Sequence, residues 1–209
     1  MTIYAYTGLP GSGKTLHATR TVLRRVWRRH PLPAVTTWQL RLADAPPEAR
    51  RCWHCVPADQ LTPAMLTAAA EDYWRTRGPV REDRLLLAID EAHIIYGARQ
   101  WARKDRQEWL AWYGQHRHQG WTVLLIVQSL RMLDSQLRAI VDEERRHINL
   151  SRWLPSPVPL IWDIGSSPTV GVRTYQQIII PWPRILRAYD TMASVDTVVA
   201  DKGANHGKE

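Results

Sequence analysis

The chain has no phenylalanine, only two cysteines, and no long apolar run in its 209 residues. Each shortage excludes something. The cysteines, Cys52 and Cys55, stand together in Cys52-Trp53-His54-Cys55 and cannot make a disulfide framework. No second ligand pair follows them, and His54 between them is poorly placed as a ligand, so the zinc signal is weak. Reduced, partly buried thiols are the expectation. The apolar runs 85–89, 123–127 and 178–180 fall far short of the roughly 20 residues that a membrane helix needs. No signal peptide precedes the first strand, so a soluble, intracellular chain is expected. Internal repeats and low-complexity blocks are lacking as well. Eleven tryptophans stand beside the missing phenylalanines, and nothing in the sequence accounts for them.

Acidic residues are the minority among the charges: 20 against 28 Lys and Arg, a formal net charge of +8 and a pI near 9.9. Such a surface suits nucleic acid, an anionic membrane face or an acidic partner, and composition does not choose among them. The length suits one domain with a real core.

The most informative stretch is Gly8-Leu9-Pro10-Gly11-Ser12-Gly13-Lys14-Thr15. It fits the phosphate-binding P-loop, G-x-x-x-x-G-K-[ST]. A β-branched and aromatic run, Thr2 to Thr7, precedes it. Leu16, Val22, Leu23 and Val26 follow at helical spacing. Strand, glycine loop and helix is the setting the motif requires. Glycines let backbone N–H groups approach phosphate, and the helix start turns its positive end to the same anion. Residues Gly8 to Leu16 are the expected nucleotide-binding set. Lys14 reaches the β- and γ-phosphates, and the Thr15 hydroxyl holds Mg²⁺.

Two later runs read as buried strands. Leu85 to Ile89 ends in Asp90-Glu91, and Trp121 to Val127 ends in Gln128. Continuous apolar strands suit a parallel sheet covered on both faces. Its ligands sit at the carboxyl ends of the strands. Asp90 is the expected Mg²⁺ partner of Thr15, and Glu91 the group that orients or deprotonates attacking water. Gln128 can hydrogen-bond that water and the γ-phosphate, or simply satisfy loop backbone.

Elsewhere, short strands are expected at 34–38 and 53–56, a loop at 41–51, and a helix from Thr62 to about Arg77, with Thr62 as its N-cap. Residues 107–118 read as a helix closed by Gly120, and 130–144 as an amphipathic helix. Residues 145–150 begin a further strand, and 160–164 with 170–180 make an antiparallel pair. The fold class is α/β: a P-loop NTPase whose mainly parallel sheet is sandwiched by helices, with a small C-terminal β-hairpin. Residues 1–195 form the domain, and 196–209 a polar, disordered tail.

Taken in order, the Tyr4 to Thr15 run, Leu86 to Ala92, His116-Arg117-His118-Gln119-Gly120, the strand ending in Gln128 and Ala188-Tyr189-Asp190-Thr191 resemble the zonular occludens toxin family, which includes the filamentous phage assembly ATPases. The resemblance spans about Thr2 to Ser194. It implies a P-loop ATPase core related to the FtsK and HerA translocases, binding ATP and Mg²⁺. It implies work at the cytoplasmic face of the inner membrane, where phage single-stranded DNA is extruded while coat proteins assemble. It also implies a homo-oligomeric ring, with a hexamer as the expected size, and membrane or coat assembly proteins as partners. In such rings an arginine often acts on a neighbour's nucleotide; Arg117 is the first choice and Arg103 the second. The membrane helix that the family places after its ATPase is not in this sequence. Alternatives are a small-molecule kinase on a P-loop core, or a nucleotide-gated scaffold with little turnover.

Overall fold

The computed structural model describes residues 2–42, 45–97 and 105–189. One sheet of eight strands organises them, in the spatial order β3-β2-β4-β5-β1-β6-β7-β8. The strands are β1 (Ile3–Thr7), β2 (Ala34–Thr36), β3 (Trp53–Cys55), β4 (Leu85–Ile89), β5 (Trp121–Ile126), β6 (Glu143–Asn149), β7 (Ile161–Ser166) and β8 (Arg173–Ile179). The first six run parallel, and β7 and β8 continue the sheet antiparallel.

The central strands are apolar throughout because both faces are covered. Along β4, Leu85, Leu87 and Ile89 enter one core with Ile3, Ala5, Val123 and Leu125. Leu86 and Ala88 enter the other with Tyr6, Leu124 and Ile126. The two-residue period of a strand makes this division. Each fully buried leucine or isoleucine here contributes about 1.5–3 kcal/mol.

The first core is closed by α3 (Pro63–Arg75) and α5 (Arg106–Gln115). Thr62 caps α3 by accepting the Met65 N–H, and Pro63 occupies the first turn. Tyr96, Trp109, Trp112, Tyr113 and Trp121 form a mutual aromatic cluster under α5, so tryptophan and tyrosine fill the volume for which the chain has no phenylalanine. The second core is closed by α1 (Lys14–Val26) and α7 (Pro183–Ala188).

Three expectations are corrected. Residues 41–51 are not all loop, because Pro47–Arg51 forms a short helix, α2, with proline in its first turn. Residues 130–144 are not one helix. They make a 3₁₀ turn (Leu130–Met132), a five-residue helix α6 (Ser135–Ala139), and then the start of β6. The side chains of Ser129 and Asp134 accept the N–H groups of Arg131 and Gln136, so each short turn has its own cap. Leu133, Leu137 and Val141 still reach the core. The link between the last two strands also begins later than expected, since Gly165 and Ser166 belong to β7. A further short helix, α4 (His93–Tyr96), follows β4. Residue 103 and residues 190–209, including the expected tail, lie outside the described residues.

Candidate functional site

β1 delivers the P-loop to the carboxyl edge of the sheet. Gly8, Gly11 and Gly13 all have positive φ, at 141°, 70° and 94°. Two of them are also constrained by space. A Cβ at Gly8 would lie 2.5 Å from the backbone oxygen of His147, and one at Gly13 would lie 2.4 Å from Cδ1 of Ile161. The loop is thus pressed against β6 and β7, not only suspended between β1 and α1.

β6 carries on past the end of β1, with Thr7 opposite Arg146. Its extension braces the loop: Asn149 Nδ2 donates to Gly11 O at 3.1 Å, and Arg152 donates to Pro10 O at 2.7 Å. On the other side the Gly8 N–H donates to the carbonyl of Gln128 at 3.1 Å. Ser12 is buried, and its hydroxyl has no hydrogen-bond partner in the loop.

Lys14 is 7% exposed, and its ammonium donates to Gly8 O at 2.8 Å and Leu9 O at 3.1 Å. Burial lowers its pKa, while the charges of Glu91 and Asp90 oppose that fall. Thr15 Oγ1 donates to Asp90 Oδ2 at 2.9 Å. Asp90 also accepts the Glu91 N–H, and its own N–H donates to Thr37 Oγ1. Burial nevertheless holds its pKa above the usual carboxylate value. Threonine hydroxyl and aspartate oxygen make a hard, all-oxygen pair, the donor chemistry that Mg²⁺ prefers.

Glu91 takes φ +46°, left-handed backbone that a side chain other than glycine seldom adopts. Backbone outliers of this kind cluster at functional sites. Its Oε2 has no hydrogen-bond partner, although His93 Nδ1 stands 3.2 Å away. Gln128 is exposed beside the loop, at the end of the strand lying between β1 and β4. A cleft of about 790 Å³ opens on the β6 side of the P-loop, lined among others by Ser12, Gln128, Arg131, Arg146, Arg152 and Arg173.

The structure therefore brings Gly8 to Leu16, Asp90, Glu91 and Gln128 to one edge. It does not bring Arg117 there. Arg117 lies in the 3₁₀ turn before β5, at the opposite edge of the sheet, 3.9 Å from Glu82. The length of β5, roughly 20 Å, separates the two edges. The neighbouring Gln119 has a structural task. Its side chain accepts from Trp112 Nε1 and donates to Thr67, while its carbonyl accepts from Trp74. Gly120 has φ 90°, with Trp74 packed where a side chain would stand. Sequence reasoning missed Thr37, Asn149 and Arg152. Partners 138 and 142 residues away along the chain leave no local signal of these last two contacts.

The zonular occludens toxin family model matches residues 2–153. The Gene 1 protein of Enterobacteria phage I2-2 is 30% identical over 149 residues, covering 68% of this chain and 39% of that protein. The chain thus spans about two fifths of that relative's length. Among solved structures, the N-terminal domain of zonular occludens toxin from Neisseria meningitidis superposes with a TM-score of 0.57 at 17% identity, over 90% of this chain and 98% of that one. B204, the DNA-packaging ATPase from Sulfolobus Turreted Icosahedral Virus, superposes at 0.52 and 15% identity, over 87% and 97%. The fold is that of a P-loop NTPase, and the chain belongs to the zonular occludens toxin family.

Proposed function

We propose that this domain binds ATP and hydrolyses it by in-line attack of water. The observation that carries the reading is the 2.9 Å contact of Thr15 with Asp90, beside a P-loop whose lysine is buried and poised. The loop amides and Lys14 bind the β- and γ-phosphates. Phosphate oxygens are stronger acceptors for the ammonium than the two carbonyls it now contacts. Thr15 and Asp90 would hold Mg²⁺, which would neutralise charge on the phosphates. Glu91, whose Oε2 has His93 Nδ1 3.2 Å away, takes the proton of the attacking water. Gln128 orients that water against the γ-phosphate.

The wider role follows from kinship. A Gene 1 relative and a packaging ATPase with the same fold support a motor in filamentous phage assembly, exporting single-stranded DNA at the inner membrane as a homo-oligomeric ring. Coat or membrane assembly proteins are the expected partners. No helix among the described residues is long and apolar enough to cross a membrane. Arg117 stays in this scheme only as a residue reaching a neighbouring subunit's nucleotide, because its own loop is at the far edge.

The test is ATP turnover without any added acceptor. A motor releases phosphate, whereas a kinase stays nearly silent. Glu91→Gln should keep ATP affinity and lower turnover by about 10²–10⁴-fold. Turnover at the wild-type rate in that variant would remove Glu91 from the mechanism. Wild-type protein that binds ATP without releasing phosphate would rule out the motor and favour a kinase or a scaffold.

A further inference from the structure

Behind the P-loop, where α1 faces β6 and β7, three buried ligating side chains converge. His17, His147 and Asp163 are 4%, 2% and 0% exposed. His17 Nδ1 lies 2.8 Å from His147 Nε2. His17 Nδ1 is also 3.9 Å from Asp163 Oδ2, and His147 Nε2 is 3.9 Å from Asp163 Oδ1. Nucleotide chemistry makes no use of this cluster.

An ordinary buried polar network satisfies its members. This one leaves Asp163 Oδ1 without a hydrogen-bond partner. Arg145 brings positive charge near, but its bonds go to Glu143 and Tyr6 and its guanidinium stacks over Tyr4 and Tyr175. The other oxygen, Oδ2, is anchored by Tyr175 OH and Gln177 Nε2, each at 2.9 Å. His147 Nδ1 stands 3.3 Å from the carbonyl of Thr7. A proton on Nδ1, donated there, leaves a lone pair on Nε2. Imidazoles that bind metal usually hold their other N–H on a carbonyl or carboxylate in this way. The ring of Tyr6 stacks on that of His17, with centroids 4.7 Å apart, and limits its rotation.

We propose that His17 Nδ1, His147 Nε2 and a carboxylate oxygen of Asp163 form a binding site for a divalent transition ion of the Zn²⁺ class. Two imidazole nitrogens and one carboxylate oxygen suit that class, whereas Mg²⁺ and Ca²⁺ take oxygen ligands. Bonds of about 2.0–2.1 Å in a tetrahedron put ligand atoms about 3.3 Å apart. The nitrogen pair therefore opens by about half an ångström, and the ligating carboxylate oxygen moves toward both rings. The proton now shared between the two rings moves to Nε2 of His17, so both facing nitrogens offer lone pairs. His147 is among the residues lining the cleft beside the P-loop, although its imidazole is fully buried. The bound ion ties α1 to β6 and β7, one helical turn beyond Lys14.

The test uses the full chain, stripped with a chelator and free of nucleotide, titrated with Zn²⁺ and then with Co²⁺ as an optical probe. One equivalent of Zn²⁺ should bind, and Co²⁺ should show the intense visible bands of tetrahedral ligation. Both should survive in the Cys52→Ser/Cys55→Ser variant, which removes the chain's other zinc-prone cluster. His147→Gln and Asp163→Asn should each weaken binding by about 100-fold or more, and Tyr175→Phe by about tenfold. Because the first two substitutions alter a buried network, Tyr175→Phe and the wild-type cobalt spectrum carry the decision should either variant not fold. Folded wild-type protein that takes up no ion at equimolar Zn²⁺ overturns the proposal. So does uptake that disappears with the cysteines, a weakly absorbing octahedral Co²⁺ spectrum, or unchanged affinity in Tyr175→Phe.

Discussion

Gly8→Ala is the substitution whose cost the structure sets most tightly. The residue has φ 141°, and a Cβ there would stand 2.5 Å from the backbone oxygen of His147 and 2.7 Å from Ser12 Oγ. A backbone oxygen within β6 cannot step aside without disturbing the β6–β7 ladder, where His147 stands opposite Asp163. Conformational strain of about 1–3 kcal/mol and overpacking of about 1–3 kcal/mol bring the expected loss to about 2–6 kcal/mol. For a domain of this size each kcal/mol moves Tm by about 2–4 °C, so a fall of about 4–24 °C is expected. Gly78→Ala is the control. Gly78 also has positive φ, at 84°, yet a Cβ there meets nothing within 4 Å. It pays only the backbone term and should lose about 1–2 kcal/mol. Thermal unfolding of both variants without nucleotide gives the comparison. Equal losses would refute the reasoning, since the contact with β6 would then count for nothing.

Other outcomes follow from the same geometry. Asp90→Asn should raise the Tm of the nucleotide-free protein at neutral pH while abolishing Mg-ATP binding. Burial raises the folded pKa of this carboxyl, so its ionisation opposes folding as pH climbs past the ordinary value, and the amide removes that opposition. Gln128→Ala should keep ATP affinity and lose at least about tenfold in turnover, the share of a residue that positions water. In metal-free protein, burial depresses the pKa of His17 to about 2 and that of His147 to about 4. Both rings are neutral when folded but take up protons when unfolded, near pH 6.5. Their contribution to stability is therefore complete above about pH 6.5 and is lost as pH falls below it. Urea midpoints followed from about pH 7 to about pH 5 should fall, and fall less steeply in His147→Gln.

The phosphate loop, β4 and β5 were legible because each is a contiguous string whose chemistry is local: glycines with a lysine, or an apolar run closed by carboxylates. The helix from Thr62 was legible for the same reason, since its cap and its first-turn proline are adjacent in the chain. β6 was harder. Its residues Glu143-Glu144-Arg145-Arg146 are charged, yet the strand pairs with β1 well inside the sheet. Long aromatic and carboxylate partners make that possible, and they come from distant segments: Arg145 stacks on Tyr4 and Tyr175, and Glu144 accepts from Thr7. The helical periodicity at 130–144 holds only in part, because Leu133, Leu137 and Val141 are buried while Ile140, expected on the same face, is exposed. Local caps and the pull of the β1 edge overrode it. Arg117 could not be placed from sequence, because the motif around it reads the same whether it serves a nucleotide or holds the foot of β5. The histidine–aspartate cluster draws on positions 17, 147 and 163, which only the folded sheet brings together.

Calorimetric titration of the folded chain with Mg-ATP tests the central claim most directly. A saturable heat at one site per chain, lost in Lys14→Ala while that variant stays folded, is the result expected. A flat titration of wild-type protein, or an undiminished heat in the lysine variant, would contradict the account.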